Sequence, residues 1–146
     1  MFDTARMFDV IQRAADDAAK TAVAPLWSLT DEELLSCLDA THRWEQAVAA
    51  AKIHLVQQIV SRGLPAAQGH RTTAGWLRSR LRLDPQPARD LAAQAATLPA
   101  RPAVERALAD GEIDARQALV IGTTIAAIPG DLPDTVMDRA VVIRMR

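Results

Sequence analysis

The strongest constraint on the fold is an uninterrupted stretch over residues 31–62, which contains neither proline nor glycine. Thr30 and Glu33 have the spacing of a capping box, in which each side chain bonds the other residue's backbone N–H. Gly63 suits the left-handed conformation that commonly follows a helix. The pattern therefore predicts one helix over residues 31–62, about 48 Å long at a rise of 1.5 Å per residue.

Apolar residues recur along this helix with a seven-residue rhythm, which is held by Leu34, Leu38, Val48, Leu55 and Ile59. Thr41, Glu45 and Lys52 interrupt it. A repeat of this kind forms either the spine of a helical domain or a seam between two helices. Because polar residues break the stripe, we favour the spine and keep self-association through helix 31–62 as the alternative.

The remaining predicted elements are also helices, joined by links that contain proline or glycine. Caps and apolar spacing predict them over about 3–22, 73–81, 84–97, 102–111, 115–127 and 133–144. Residues 63–72 are predicted to form a loop, and no segment favours a strand. We predict an all-α protein, an irregular bundle of about seven helices. Residues 1–29 would form an N-terminal helix and connector, and residues 30–146 the helical domain.

Charge is distributed unevenly along a chain whose formal net charge is −1. The net charge is −5 over residues 1–39, +6 over 40–106 and −2 over 107–146. Residues 73–97 resemble a helix–turn–helix corner, and five arginines of the basic block lie in or beside it: Arg71, Arg78, Arg80, Arg82 and Arg89. Guanidinium groups gathered on such a corner suit a nucleic-acid backbone. This local excess of positive charge predicts DNA as a partner.

Within the second helix of the corner, Gln86 and Arg89 are candidates for contacting base edges, since both side chains make bidentate contacts in the major groove. The predicted nucleic-acid-binding set is therefore Arg71, Arg78, Arg80, Arg82, Gln86 and Arg89. The alternative is that two adjacent helices of a bundle carry surface arginines over alanine-rich faces. Asp84 and Asp90 favour this alternative, because they place negative charge near the same surface.

The sequence carries no motif typical of catalysis or of metal or cofactor binding. His42 and His54 lie on the long helix but about 120° apart around its axis, so they do not share a face. No phosphate-binding loop or dinucleotide fingerprint occurs. We therefore predict a protein that is not an enzyme and that has no catalytic residues, cofactor or metal.

Cys37 is the single cysteine, and its apolar neighbours predict a small buried residue. The three tryptophans, Trp27, Trp44 and Trp76, are predicted to anchor packing. No apolar run approaches the roughly 20 residues that span a bilayer. These features predict a cytoplasmic protein with no membrane association.

Several short motifs occur in the order of a known family: TTAGWLRSRL, ARDLAAQAATLPA and ALADGEIDARQALVI, followed by Leu132-Pro133. Over residues 30–140 the chain resembles the actinobacterial domain of unknown function 222, known also from mycobacterial repeat-family proteins. The resemblance implies a helical domain that commonly precedes an HNH endonuclease module, and hence a nucleic-acid setting. It brings no catalytic residues, because the nuclease needs its own His and Asn residues.

This resemblance leads to a hypothesis about function. We expect a non-catalytic helical module that binds or positions DNA, derived from an HNH-endonuclease-associated protein and truncated at its C-terminus, without an HNH module. Two alternatives stay open: a protein-interaction or oligomerisation module, and a truncated remnant without independent activity.

Overall fold

A computed structural model describes residues 6–127, and all regular structure in that range is helical. Seven α-helices occur there: α1 (Met7–Ala22), α2 (Asp31–Ser61), α3 (Leu64–Ala67), α4 (Thr73–Leu81), α5 (Pro85–Thr97), α6 (Pro102–Ala109) and α7 (Ala115–Ala126). A 3-10 turn, Leu98–Ala100, joins α5 to α6. The predicted all-α class is confirmed. The predicted loop 63–72 is wrong in part, because it contains α3, and predicted helix 133–144 lies outside the described residues.

The helix ends form largely where the sequence places them. The Thr30 backbone N–H donates to Glu33 Oε2 at 2.8 Å, and the Glu33 N–H donates to Thr30 Oγ1 at 3.2 Å, which confirms the capping box. Thr72 caps α4 by accepting from the Gly75 N–H at 3.0 Å. Asp84 occupies the N-cap position of α5 but makes no side-chain capping bond. These contacts span at most three residues, so a local pattern is sufficient to predict them.

The chain divides into two compact units, Met1–Leu38 and Asp39–Arg146. In the first unit, residues 6–38 include no buried side chain. Phe8 and Ile11, on the apolar side of α1, are 70% and 41% exposed. The first turns of α2 belong to this unit, whereas the predicted boundary between residues 29 and 30 stays a prediction.

In the second unit, α5 packs against α4 and α7, and α7 also packs against α6. The largest fully buried side chains come from α4, the 3-10 turn, α6 and α7: Leu77, Leu98, Val104, Leu108 and Ile121. Burying each leucine or isoleucine contributes about 1.5–3 kcal/mol. The core is therefore shared among several short helices.

Two glycines allow helices to approach closely. A Cβ at Gly122, in α7, would lie 3.3 Å from Thr97 Oγ1 at the end of α5. A Cβ at Gly111, between α6 and α7, would lie 3.0 Å from Arg43 Cγ and 3.2 Å from Arg43 Cα on α2. Nearby, Gln94 Nε2 donates to the Ala115 carbonyl at 2.8 Å, which ties α5 to the first residue of α7. These contacts fix the positions of α5 and α7.

The predicted apolar stripe of α2 does not face the core. The buried residues of α2 are Gln46, Ile53 and Val56, whereas Val48 and Leu55 are exposed. Of the predicted stripe, Ile59 alone packs against the buried core, and Leu34 and Leu38 are also exposed. The spine interpretation of this stripe is therefore wrong. The prediction fails because α2 has apolar residues on two sides, and periodicity does not identify which side packs against the core.

Three single-residue predictions differ from the structure. Trp76 is 4% exposed and anchors packing as predicted, but Trp44 and Trp27 are 38% and 88% exposed. Cys37 is also exposed. Hydrophobic character alone does not guarantee burial, since much of any folded surface is apolar.

We predict that Gly111→Ala destabilises the fold more than Gly69→Ala. Both glycines have positive φ, +75° and +82°, and alanine in this conformation costs about 1 kcal/mol. At Gly69 the new methyl group meets nothing within 4 Å, whereas at Gly111 it meets the backbone of Arg43. We expect an additional loss of about 1–2 kcal/mol at Gly111. Urea unfolding measures both variants, and equal losses would contradict the close approach.

We also predict a lowered pKa for Glu33. The Thr30 backbone N–H is the main cause, and the Thr30 hydroxyl, 3.0 Å from Glu33 Oε2, adds to it. Because the folded state favours the charged carboxylate, this contribution to stability is present at neutral pH. It is lost as the pH falls from the ordinary glutamate pKa through the lowered value. NMR titration of the Glu33 carboxyl carbon measures the pKa directly.

Thr30→Ala should raise the Glu33 pKa part of the way towards its ordinary value, since the backbone donor remains. Thr30→Ser, which keeps the hydroxyl, is the control and should leave the titration unchanged. An ordinary glutamate midpoint in the unmodified protein would contradict the capping box.

Candidate nucleic-acid interface

The predicted helix–turn–helix corner forms from α4, α5 and the three residues between them. Leu77 of α4 and Ala88 and Leu91 of α5 are buried in the same apolar core. Leu83, in the turn, packs against the same core. Leu81, the last residue of α4, is 45% exposed.

The turn depends on an unusual backbone conformation at Arg82. Its φ of 54° and ψ of 42° place it in the left-handed region. Within residues 6–127 it is the only non-glycine residue with a positive φ. Glycine is the common residue at such a helix end, because a Cβ disfavours this conformation. Arg82 therefore ends α4 at an energetic cost and carries its exposed side chain at the apex of the corner.

All five arginines of the predicted set are exposed. Arg71 precedes α4, Arg78 and Arg80 lie on it, and Arg89 lies in the second turn of α5. Two positions along a helix correspond to a rotation of about 200°, so Arg78 and Arg80 leave α4 on different sides. The arginines thus surround the corner and do not form one flat face. We call these five residues the arginine corner.

One guanidinium of the arginine corner rests on an aromatic ring. Arg80 Cζ lies 5.6 Å from the centroid of the Trp76 indole, within the range of a cation–π contact. The indole Nε1–H donates to Gln68 Oε1 at 2.8 Å. Gln68 follows α3, so this short helix helps to orient the ring that carries Arg80. This role of Trp76 and Gln68 was not predicted from the sequence, because a separation of eight residues gives no recognisable signal.

The two residues predicted to contact base edges are already hydrogen-bonded to one another. Arg89 donates to Gln86 Oε1 at 2.8 Å, and Gln86 Nε2 donates to Asp90 Oδ1 at 2.7 Å. Gln86 and Arg89 are exposed and Asp90 is half-buried. A base edge could therefore replace these bonds without leaving a buried polar group unsatisfied.

Carboxylates do not neutralise the arginine corner within residues 6–127. No Asp or Glu side chain of this range lies within ion-pair distance of its five guanidinium groups, whereas Lys20 and Asp17 of α1 pair at 3.6 Å. Residues 71–90 contain five arginines and two aspartates, which gives a local net charge of +3. The corner therefore presents positive charge to solvent.

A groove beside the core lies away from the arginine corner. It has a volume of about 400 Å³ and an apolar floor that includes Ile53, Leu98 and Leu108. Glu105, on its rim, accepts from Gln57 Nε2 at 3.3 Å. Among the described residues, no group of three or more His, Cys, Asp or Glu side chains is placed to hold a metal ion. Nor is any described helix long and apolar enough to cross a membrane.

The chain belongs to the family described as Domain of unknown function (DUF222), whose model matches residues 32–146. The family resemblance stated from the sequence is thereby confirmed. A search of curated proteins and a search of solved structures found no match. The family description names no activity, so the HNH association and the repeat-family origin stay predictions.

We predict that Arg82→Gly stabilises the protein by about 1 kcal/mol, because glycine adopts the left-handed conformation without steric cost. Arg78→Gly is the matched control. This substitution also removes one arginine, but position 78 lies inside α4. Glycine there should lower the free energy of unfolding by about 1 kcal/mol. Thermal unfolding distinguishes the two, and destabilisation by both variants would contradict the conformation found at Arg82.

Proposed function

We propose that this chain is a non-catalytic helical module that binds or positions DNA through the arginine corner. The supporting observation is that five exposed guanidinium groups surround one two-helix corner, without carboxylate partners in the described part of the chain. Phosphate contacts from arginine supply most of the affinity of sequence-independent binding. Arg82 also supports the proposal. An arginine at a position that favours glycine lowers stability, which is consistent with a functional requirement for its side chain.

In this proposal the residues have different roles. Arg71, Arg78, Arg80 and Arg82 contact phosphates, and the Trp76 ring orients Arg80 through their cation–π contact. Gln86 and Arg89 contact base edges after exchanging their mutual hydrogen bond for bonds to the bases. The derivation from an HNH-associated protein is part of the same proposal and rests on what the family resemblance implies.

We predict that the chain binds duplex DNA with a strong dependence on salt. The logarithm of the affinity should fall with the logarithm of the salt concentration, with a slope of about −0.9 for each neutralised phosphate. Replacing Arg78, Arg80, Arg82 and Arg89 by alanine should abolish most of the affinity and flatten the slope. Fluorescence anisotropy of a labelled duplex, from low to physiological salt, measures both quantities.

The control for this experiment removes four positive charges elsewhere. Arg13, Lys20, Arg106 and Arg116 are all exposed and lie outside the arginine corner. Replacing them by alanine changes the net charge by the same amount, so a local interface predicts nearly full binding. Equal weakening by both sets would show that overall charge is responsible. An absence of DNA binding at low salt would contradict the proposal.

Self-association is the second candidate function, and one observation favours it. Val48 and Leu55 of α2 are 46% and 36% exposed, although α2 supplies Ile53 and Val56 to the core. Contiguous exposed apolar residues on the uncovered side of a core helix are typical of an interaction surface. The remaining alternative, a remnant without independent activity, predicts neither DNA binding nor self-association.

A further inference from the structure

In the second unit, α2 carries an exposed apolar stripe formed by Trp44, Val48, Ala51 and Leu55. Successive members are four, three and four residues apart, which is the spacing of a helix seam. The stripe lies about 150° around the helix axis from the core-facing residues Gln46, Ile53 and Val56. Its members therefore cannot be covered by the core that α2 already contacts.

One flank of this stripe carries two opposite charges, Glu45 and Lys52, and both side chains are exposed. They lie seven residues apart, about 10.5 Å along the axis, which is too far for an ion pair with each other. Neither makes an ion pair with another residue of the described range. Their spacing matches the flanking positions that select partner and orientation in paired helices.

We infer that α2 pairs in antiparallel orientation with α2 of a second copy of this chain. Two-fold symmetry centred near residues 49 and 50 places Trp44 against Leu55 of the partner subunit. It also places Val48 against Ala51 of the partner subunit, so a larger side chain meets a smaller one. In this arrangement Glu45 faces Lys52 of the partner subunit, and the symmetry forms this ion pair twice.

Charge favours the antiparallel arrangement over the parallel one. In a parallel pair, each flank of the seam faces the opposite flank of the partner helix. The flank opposite Glu45 and Lys52 carries Ala47 and His54, which offer no complementary pattern of charge. Only the antiparallel arrangement gives both Glu45 and Lys52 an oppositely charged neighbour.

The four-residue stripe covers three helical turns, so the interface is smaller than the roughly 800 Å² per partner of a standard complex. The expected dimer is therefore weak, with a dissociation constant on the order of tens of micromolar or higher. This inference rests on the self-association candidate and is independent of DNA binding.

Sedimentation equilibrium of the full chain, up to about millimolar concentration, tests the arrangement through charge reversal. Glu45→Lys or Lys52→Glu alone places like charges together at both symmetry-related pairs, and each should weaken the dimer by about fivefold or more. The double variant restores both attractive pairs and should recover the original affinity. An equimolar mixture of the two single variants should likewise dimerise, because it restores both pairs between different chains.

Arg116→Glu on α7 is the control, since it reverses an exposed charge outside the stripe and should leave the dimer unchanged. Circular dichroism checks that each variant keeps its helical content. A monomer at all concentrations would overturn both self-association and this arrangement. A dimer that is insensitive to the single reversals, or that neither the double variant nor the mixture restores, would overturn the antiparallel pairing alone.

Discussion

The close packing of α5 between α4 and α7 is the constraint on which the second unit depends. The buried side of α5 is built from small and medium residues, Ala88, Leu91 and Ala95, which bury little area each. Such a core gains enough dispersion energy only if the helices approach closely. Gly122 permits that approach on α7, and Gln94 fixes its register by bonding to the Ala115 carbonyl. This packing fixes the position of α5, the second helix of the arginine corner.

Helix positions could be predicted from the sequence because their determinants are local. Thr30 with Glu33, and Thr72, each bond to backbone groups within three residues, and the sequence displays such pairs directly. The side of α2 that packs against the core could not be predicted from the sequence. Leu55 and Val56 are adjacent apolar residues on different sides of one helix, and only tertiary packing decides that Val56 is buried. The same limit explains why Trp76 and Trp44 have different environments.

The candidate site was predicted in its composition but not in its geometry. Arginine clustering is visible in the sequence, whereas the direction of the Arg82 side chain depends on its left-handed backbone and that of Arg80 on the ring of Trp76. The residues that suggest the family are largely core residues, including Leu77, Leu98 and Ile121. The family likeness therefore specifies how the chain folds. What the chain does depends on exposed residues that the family pattern does not determine.

The contrast in burial between the two units has a consequence for local stability. Because residues 6–38 bury no side chain, the amide protons of α1 are protected by hydrogen bonds within the helix alone. They should exchange with solvent through opening of single turns, whereas those of α5 and α7 exchange only when the core itself opens.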